Sequence, residues 1–303
     1  MRIALTYLFF FTFSLINAQV KTDSIYTLPE VEKVESISNV IRKVAIYSTS
    51  TSRNLNDVLK ENTGIYMKNY GNGQLSSISF RGTSAEQTDV LWNGIKMNSP
   101  SLGQVDASLF NLGMADRIEV KGISQSGNVG GELNLQDQIS FDSTFSSEAN
   151  FTYGSFNTFR TFGKALYSNY KFYGATRVSY LSSDNNYPFT DSYQSGNPEV
   201  KLTNAKVRLL NFMQQFGTKI NEHNSLHFNF WLSDAQRQIP PIISKEVSKQ
   251  SQDDYSLRSM LTWKGQFKRI STEFTSAFFQ DEIHYRDSEI YLDQKSIMQA
   301  FRN

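Results

Sequence analysis

The chain has 303 residues, with 30 basic and 29 acidic side chains, a formal net charge of +1 and no cysteine. This balanced charge gives no sign of the clustered basic surface that a nucleic-acid partner needs, and the lack of cysteine excludes disulfides. Aromatic residues make up 14% of the chain although the mean hydropathy is only −0.42, a combination typical of strands with one apolar and one polar face.

The first residues have the pattern of a secretory signal peptide. Arg2 precedes an apolar run that ends at Ile16, and the small residue Ala18 follows. A signal peptide has this order of charge, apolar core and cleavage site, whereas a membrane-spanning helix needs about 20 apolar residues. We expect residues 1–18 to be removed, with cleavage near Ala18.

Residues 19–36 show neither helical periodicity nor a helix-capping signal. Val31 and Val34 alternate with charged residues, as side chains of an extended segment do. Two interpretations stay open for this leader: a disordered segment, or an extended segment that a partner protein binds by strand addition.

Residues 37–140 carry the signals of a small α+β domain. Asn54 can cap a helix that Gly64 ends. The apolar residues that recur on one face of this helix are Leu55, Val58 and Leu59. A glycine- and asparagine-rich loop follows at residues 69–73.

A tight hairpin is the clearest local signal in this domain. Asn93-Gly94 favours a type I′ turn, in which both central residues have positive φ. A two-residue turn at this position pairs apolar residues that then share one face: Trp92 with Ile95, and Val90 with Met97.

Four further elements complete the domain. Ile78 and Phe80 alternate with serines as in a half-buried strand, and Asp106 can cap a short helical turn. Residues 117–122 alternate as another strand, and a glycine-rich turn leads into a last strand at residues 132–135.

After residue 142 the chain changes to about eight long segments in which apolar and polar residues alternate. In one of them the two alternating sets are Leu226, Phe228, Phe230 and Leu232, and His227, Asn229 and Ser233. Segments of roughly 10 residues or more can cross a bilayer as tilted strands. The pattern therefore predicts transmembrane strands.

The connections between these segments alternate in length. Short turns at residues 168–171, 221–224 and 268–269 lie between long polar loops at residues 183–204 and 234–254. This alternation favours an outer-membrane barrel over a soluble β-sandwich, whose strands are shorter. Eight strands close only a side-chain-filled barrel, whereas about 22 can enclose a domain, so we expect residues 141–303 to begin a larger barrel.

Several motifs together resemble the TonB-dependent outer-membrane receptors. The segments that match the plug domain of this family are Ile78-Ser79-Phe80-Arg81-Gly82-Thr83, Val90-Leu91-Trp92-Asn93-Gly94-Ile95, residues 115–122 and residues 130–135. Two departures stand out: Asn93 replaces the usual Asp, and the stretch from Gly122 to Gly130 is several residues short. The stretch of residues 91–106 looks most like cobalamin- and siderophore-type receptors from Bacteroidetes.

This resemblance implies energised import of a scarce, large ligand, most simply cobalamin or an iron-siderophore, through the outer membrane of a Gram-negative bacterium. It implies an outer-membrane lipid environment and a partner, TonB, with its inner-membrane energising complex. It implies neither an enzyme nor a cofactor. The segment that TonB would bind by strand addition is Leu28, Pro29, Glu30, Val31, Glu32, Lys33, Val34 and Glu35.

The resemblance also implies site residues. The plug core motif is Arg81, Gly82, Asn93 and Gly94, with Arg81 either paired to a carboxylate at the plug–barrel boundary or an ordinary surface arginine. The apical loops that would contact ligand, or be plain solvent-exposed turns, contain Tyr70, Asn72, Gln74, Asn98, Ser99, Ser101 and Gln104.

Other chemistry finds no support in the sequence. Residues 71–76 miss the third glycine of a dinucleotide-binding loop, and His223 and His227 lack the glutamate of a zinc-protease motif, so we expect no metal site. Two alternatives remain: a small closed barrel or surface binding protein without transport, and a receptor that only signals.

Overall fold

The computed structural model describes residues 43–47, 55–63, 65–80, 82–100, 102–122, 124, 126–242, 245 and 247–303. Several sequence-based predictions lie outside these residues: the signal peptide, the TonB-binding segment 28–35, the cap at Asn54, Gly64, Arg81 and Ser101. Within the described residues, no helix is long and apolar enough to cross a membrane.

In the part of the N-terminal domain that the structure describes there are one α-helix, α1 (Leu55–Asn62), and seven short strands. The strands are β1 (Lys43–Tyr47), β2 (Ile65–Asn69), β3 (Ser76–Phe80), β4 (Asp89–Trp92), β5 (Ile95–Lys96), β6 (Arg117–Lys121) and β7 (Glu132–Gln136). Five of them form a mixed sheet in the order β1-β6-β7-β4-β5, and β2 pairs with β3. The predicted α+β class is confirmed.

The predicted hairpin is also confirmed. Asn93 and Gly94 have φ of 49° and 86°, as a type I′ turn requires, and Trp92 pairs with Ile95. Val90 accepts the amide of Met97 at 2.7 Å. The shared face enters the apolar core of the domain, because Val90, Trp92 and Met97 are buried there and Ile95 packs against them.

Short 3-10 helices connect the strands, and among the described residues they are Ala85–Gln87, Ala107–Leu109 and Leu112–Met114. Asp106 caps the second by accepting the Ser108 amide at 2.9 Å, which confirms the predicted helical turn. The apolar face predicted for α1 is buried in the same core through Leu55, Val58 and Leu59.

The second half of the chain forms an antiparallel sheet of eight strands, here called the wall. Its members are β8 (Thr144–Gly154), β9 (Thr158–Ser168), β10 (Phe172–Ser183), β13 (Val207–Asn221), β14 (Asn224–Ile239), β15 (Gln250–Phe267), β16 (Ile270–Asp287) and β17 (Leu292–Arg302). β8 and β17 are its edges, so the described strands form an open sheet and not the closed small barrel of the first alternative.

The two faces of the wall have inverted polarity compared with a soluble sheet. On β14 the polar residues His227, Asn229 and Ser233 are buried, whereas Phe228 on the other face is 39% exposed. The buried face is turned towards the N-terminal domain, whose core cluster includes wall residues such as Trp231. An apolar outer face with a polar inner face is the pattern of a transmembrane barrel.

The connections differ at the two ends of the wall. At one end the turns span residues 169–171, 222–223 and 268–269; at the other, residues 155–157, 184–206, 240–249 and 288–291. The first predicted long loop contains a small hairpin, β11 (Pro188–Thr190) with β12 (Glu199–Lys201).

The bounds predicted for the second long loop, residues 234–254, are too wide. β14 continues to Ile239 and β15 begins at Gln250, so the loop is residues 240–249. The ladder runs through this polar stretch, for example from Gln236 to Asp253. Polar composition indicated a loop, but inter-strand hydrogen bonds extend these strands beyond their apolar part.

Candidate functional site

An aromatic cluster joins the N-terminal domain to the wall. Trp92 and Phe110 of the domain each meet the ring of Trp231 on β14 edge-on, with centroid distances of 5.4 and 5.3 Å. Trp92 also lies 6.4 Å from Phe279 on β16. All four rings are almost fully buried, so this contact is a continuation of the domain core across the interface.

Gly113 permits the closest approach between the two parts. A Cβ placed on it would lie 2.4 Å from a ring carbon of Phe162 on β9, well inside van der Waals contact. Any side chain at this position would therefore push the 3-10 helix Leu112–Met114 away from the wall.

Ion pairs fix the domain next to this contact. Arg177 of β10 donates to Asp116 at 2.6 Å, and Lys164 of β9 donates to the same carboxylate at 2.7 Å. Burial alone would raise the pKa of Asp116, but the charges of Arg177 and Lys164 outweigh it and hold this pKa below its ordinary value. The carboxylate is thus kept ionised against the wall.

Asp137 forms the second half of this anchor. It accepts hydrogen bonds from Trp92 Nε1 at 3.0 Å and Asn93 Nδ2 at 2.8 Å, and it lies 3.6 Å from the Arg177 guanidinium. Burial raises the pKa of Asp137. Asn93 Oδ1 also accepts the backbone amide of Asp137 at 2.8 Å, so this asparagine uses both its donor and its acceptor here.

The contact between Asn93 and Asp137 accounts for an asparagine at position 93, where the family resemblance leads us to expect an aspartate. An aspartate there would place a second carboxylate against Asp137, where the structure needs a donor. Asn93 therefore joins the turn to the ion pairs of Asp116, Asp137 and Arg177. The sequence motif alone did not reveal this role. Gly82 of the same motif is exposed, with φ of 77°.

A second ion-pair cluster lies nearer the end of the wall that carries the long loops. Arg237 of β14 bonds both Asp106 of the domain and Asp254 of β15. Asp106 also accepts the backbone amides of Ser76 and Ser108, each at 2.9 Å. In both clusters the wall supplies the cations and the domain supplies a carboxylate, and in this one Asp254 of the wall is a second anion.

Arg258 of β15 occupies a box of aromatic rings between the two clusters. Its guanidinium carbon lies 5.8 to 5.9 Å from the rings of Phe110, Trp231 and Phe279. One end donates to Asp281 at 2.8 Å, while Nε and Nη1 have no hydrogen-bond acceptor among the described residues. The rings thus stabilise the charge by cation–π contact.

A groove opens above this box, between the domain and the strands β15 to β17. It encloses about 100 Å³. Residues that line this outer groove are Leu75, Ser99, Leu102, Gln104, Leu109 and Phe110 of the domain and Asp254, Arg258, Asp281, Glu282, Ile283 and Met298 of the wall. Leu75 and Leu102, which sequence reasoning missed, are half-exposed there.

The structure divides the predicted ligand-contact residues into two groups. Tyr70 is 55% exposed, and Ser99 and Gln104 line the outer groove. Asn72 is partly buried and accepts a hydrogen bond from Arg160 of β9. Gln74 and Asn98 are buried.

Asn98 holds its own loop together. Its Oδ1 accepts the Val90 amide at 2.8 Å, and its Nδ2 donates to the carbonyls of Thr88 at 2.9 Å and Gly103 at 2.8 Å. Its polar atoms are therefore occupied within the domain. The loop keeps its shape through Asn98 and presents Ser99 and Gln104 outward.

Comparison with known proteins identifies the N-terminal domain. Residues 30–132 match the model of the TonB-dependent receptor plug domain. The chain is 31% identical over 156 residues to the vitamin B12 transporter BtuB of Vibrio vulnificus (strain YJ016), which covers 47% of this chain and 25% of that protein. The chain thus spans about a quarter of this relative's length.

Solved structures share the fold at low sequence identity. The FrpB iron transporter from Neisseria meningitidis matches with a TM-score of 0.66 and 12% identity, covering 86% of this chain and 43% of that one. The siderophore receptor PirA from Acinetobacter baumannii matches with a TM-score of 0.61 and 15% identity, covering 85% and 43%. Residues 30–132 thus belong to the family of TonB-dependent receptor plug domains, and this plug is seated against a wall that shares the fold of part of a receptor barrel.

Proposed function

We propose that this protein imports a scarce, large ligand across the outer membrane with energy supplied through TonB. The observation that carries the proposal is a plug domain bound through ion pairs and aromatic rings to the polar face of a wall whose other face is apolar. Such a wall fits a lipid environment, and such a plug fits a pore that stays closed until it is energised.

We place the wall in the outer membrane of a Gram-negative cell, as part of a barrel of about 22 strands. An open sheet leaves unpaired backbone groups at β8 and β17, which hydrocarbon does not tolerate. Residues 184–206 and 240–249 would then face the outside, and the short turns the periplasm.

Cobalamin or an iron-siderophore is the ligand that we propose. Relatives and structural neighbours include a vitamin B12 transporter and a siderophore receptor by name. The outer groove would take part of the ligand, with Leu75, Leu102 and Gln104 as contacts from the plug, and the exposed Tyr70 would contact the ligand outside this groove. Its mixed apolar and polar lining suits a large ligand with both kinds of surface.

TonB is the partner that we propose for residues 28–35. Pro29 lacks an amide donor and suits the edge of an added strand, whose affinity comes from backbone hydrogen bonds. A receptor that only signals would bind the same ligand at the surface without accumulating it.

Uptake in a strain that lacks its own receptors tests this function. Cells producing the protein should accumulate radiolabelled cobalamin or one member of a panel of ferric siderophores, and cells carrying the empty vector should not. Surface binding without accumulation would favour a signalling receptor, and neither binding nor accumulation of any compound would contradict the proposal.

A further inference from the structure

Three amide side chains with little exposure lie where the plug meets the bases of both long loops. They are Gln74 of the plug and Asn185 at the start of the loop 184–206, which are buried, and Asn204 near the end of that loop, which is partly buried, and we call them the amide belt. Each donates to backbone carbonyl oxygens, so these hydrogen bonds do not depend on the side chains of the accepting residues.

Gln74 is the plug's contribution to the belt. Its Nε2 donates to the carbonyl of Ala205 at 3.2 Å and to that of Gln238 at 2.9 Å. Ala205 lies just before β13, and Gln238 lies near the end of β14. One plug side chain thus binds the bases of both long loops.

The two asparagines extend the same pattern. Asn185 Nδ2 donates to the carbonyl of Asn72 in the plug at 2.9 Å and to that of Ala205 at 3.0 Å. Asn204 Nδ2 donates to the carbonyls of Ile239 and Gln250, each at 2.8 Å, and so closes the base of the loop 240–249. Ala205 accepts from both the plug and the loop.

Packing leaves the plug loop little freedom at this point. Wall side chains close around Gly73, where a Cβ would lie 2.9 Å from Val207 and 3.2 Å from Leu181. Arg160 of β9 holds the Asn72 side chain. The tip of the plug's apical loop is therefore inserted into the wall and is not a free surface.

We propose that Gln74, Asn185 and Asn204 are positioning residues that join both long loops and the plug's apical loop into one unit. Displacement of a long loop, such as closure over a captured ligand, is then transmitted to the plug through these amides. That a captured ligand causes this displacement rests on the proposed function, whereas the mechanical coupling between the loops and the plug does not.

Hydrogen–deuterium exchange of the full chain in detergent micelles, without any ligand, tests the coupling. The variant is Asn185→Gly, because Asn185 has φ of 49° and glycine keeps that backbone while removing the amide. The control is Asn197→Gly in the same loop, where φ is 47° and the side chain is exposed.

We expect Asn185→Gly to speed exchange of the plug amides of Tyr70 and Gln74 by about tenfold. One lost bond holds the plug loop at the Asn72 carbonyl, and the other holds Ala205, to which Gln74 also donates. Asn197→Gly should leave both amides unchanged. Faster exchange confined to residues 184–206, or the same plug response in both variants, would overturn the proposal.

A plug variant tests the reverse direction. Gln74→Met keeps the length of the side chain and removes its donors. Exchange should rise together near the bases of both loops, at residues 202–206 and 238–250, again by about tenfold. If only one loop responds, or neither, Gln74 does not join the two. A failure of the transport proposal would leave these results untouched.

Discussion

Arg177 of β10 and Asp116 of the plug form a 2.6 Å ion pair in which the arginine side chain is fully buried. Lys164 and Asp137 complete the charges around it. The wall therefore recognises the plug through a buried electrostatic contact as well as through apolar packing, and the two can be tested separately.

Replacing Arg177 with methionine should loosen the plug. The change leaves Asp137 buried without its cationic neighbour, and removing one partner of a buried pair costs about 3–5 kcal/mol. The loss of stability is measured as a shift in the urea midpoint of plug unfolding, which protease cleavage within the plug detects. Lys264→Met is the matched control, because its pair with Glu273 is half-exposed and contributes less than about 1 kcal/mol. Equal effects of the two changes would contradict a buried anchor.

Acid should weaken the same contact. The pKa of Asp116 is lower in the folded protein than in the unfolded chain, so its stabilising effect is full above the unfolded value of about 3.9 and is lost as pH falls through the lower folded pKa. The stability difference between wild type and Asp116→Asn should shrink below about pH 3.9. A difference that stays constant down to the acid transition would show that folding does not lower the pKa of Asp116.

Asn93→Asp should destabilise the plug although it restores the residue usual in the family. It places a carboxylate against Asp137 and removes a donor, which costs about 1–3 kcal/mol. The double variant Asn93→Asp with Asp137→Asn exchanges the two groups and should recover most of the loss in thermal unfolding. No recovery would mean that the Asn93–Asp137 contact does not set the preference.

The topology predicts which positions face outward. The chain has no cysteine, so single reporters are unambiguous. Gln194→Cys in the loop 184–206 should react with an impermeant maleimide in intact cells, whereas His223→Cys in a short turn should react only after permeabilisation. The opposite labelling would reverse the orientation of the wall.

Local chemistry was enough to predict the hairpin and the faces of the strands. Asn93-Gly94 specifies its own turn, and alternation on β14 separates Phe228 from His227 and Asn229 without reference to any distant residue. The plug was recognisable because several such signals occur together with the right spacing.

Contacts between distant parts of the chain were not predictable in the same way. Asp116 and Arg177 are 61 residues apart, and neither carries a local signal of its partner. Gln74 lies in a loop whose composition indicates a solvent-exposed turn, yet the wall buries it. Such roles depend on how the plug sits against the strands, which periodicity does not encode.

The substitution Val31→Pro tests whether import through this receptor is energised by TonB. Proline removes a backbone donor from the segment 28–35 and should break strand addition by TonB; Val31→Ala keeps the donor and serves as the control. We expect accumulation of labelled cobalamin or ferric siderophore to be lost in the Val31→Pro receptor and in cells lacking TonB, with surface binding and receptor abundance unchanged. Accumulation at the wild-type level in either case would contradict import energised by TonB through residues 28–35.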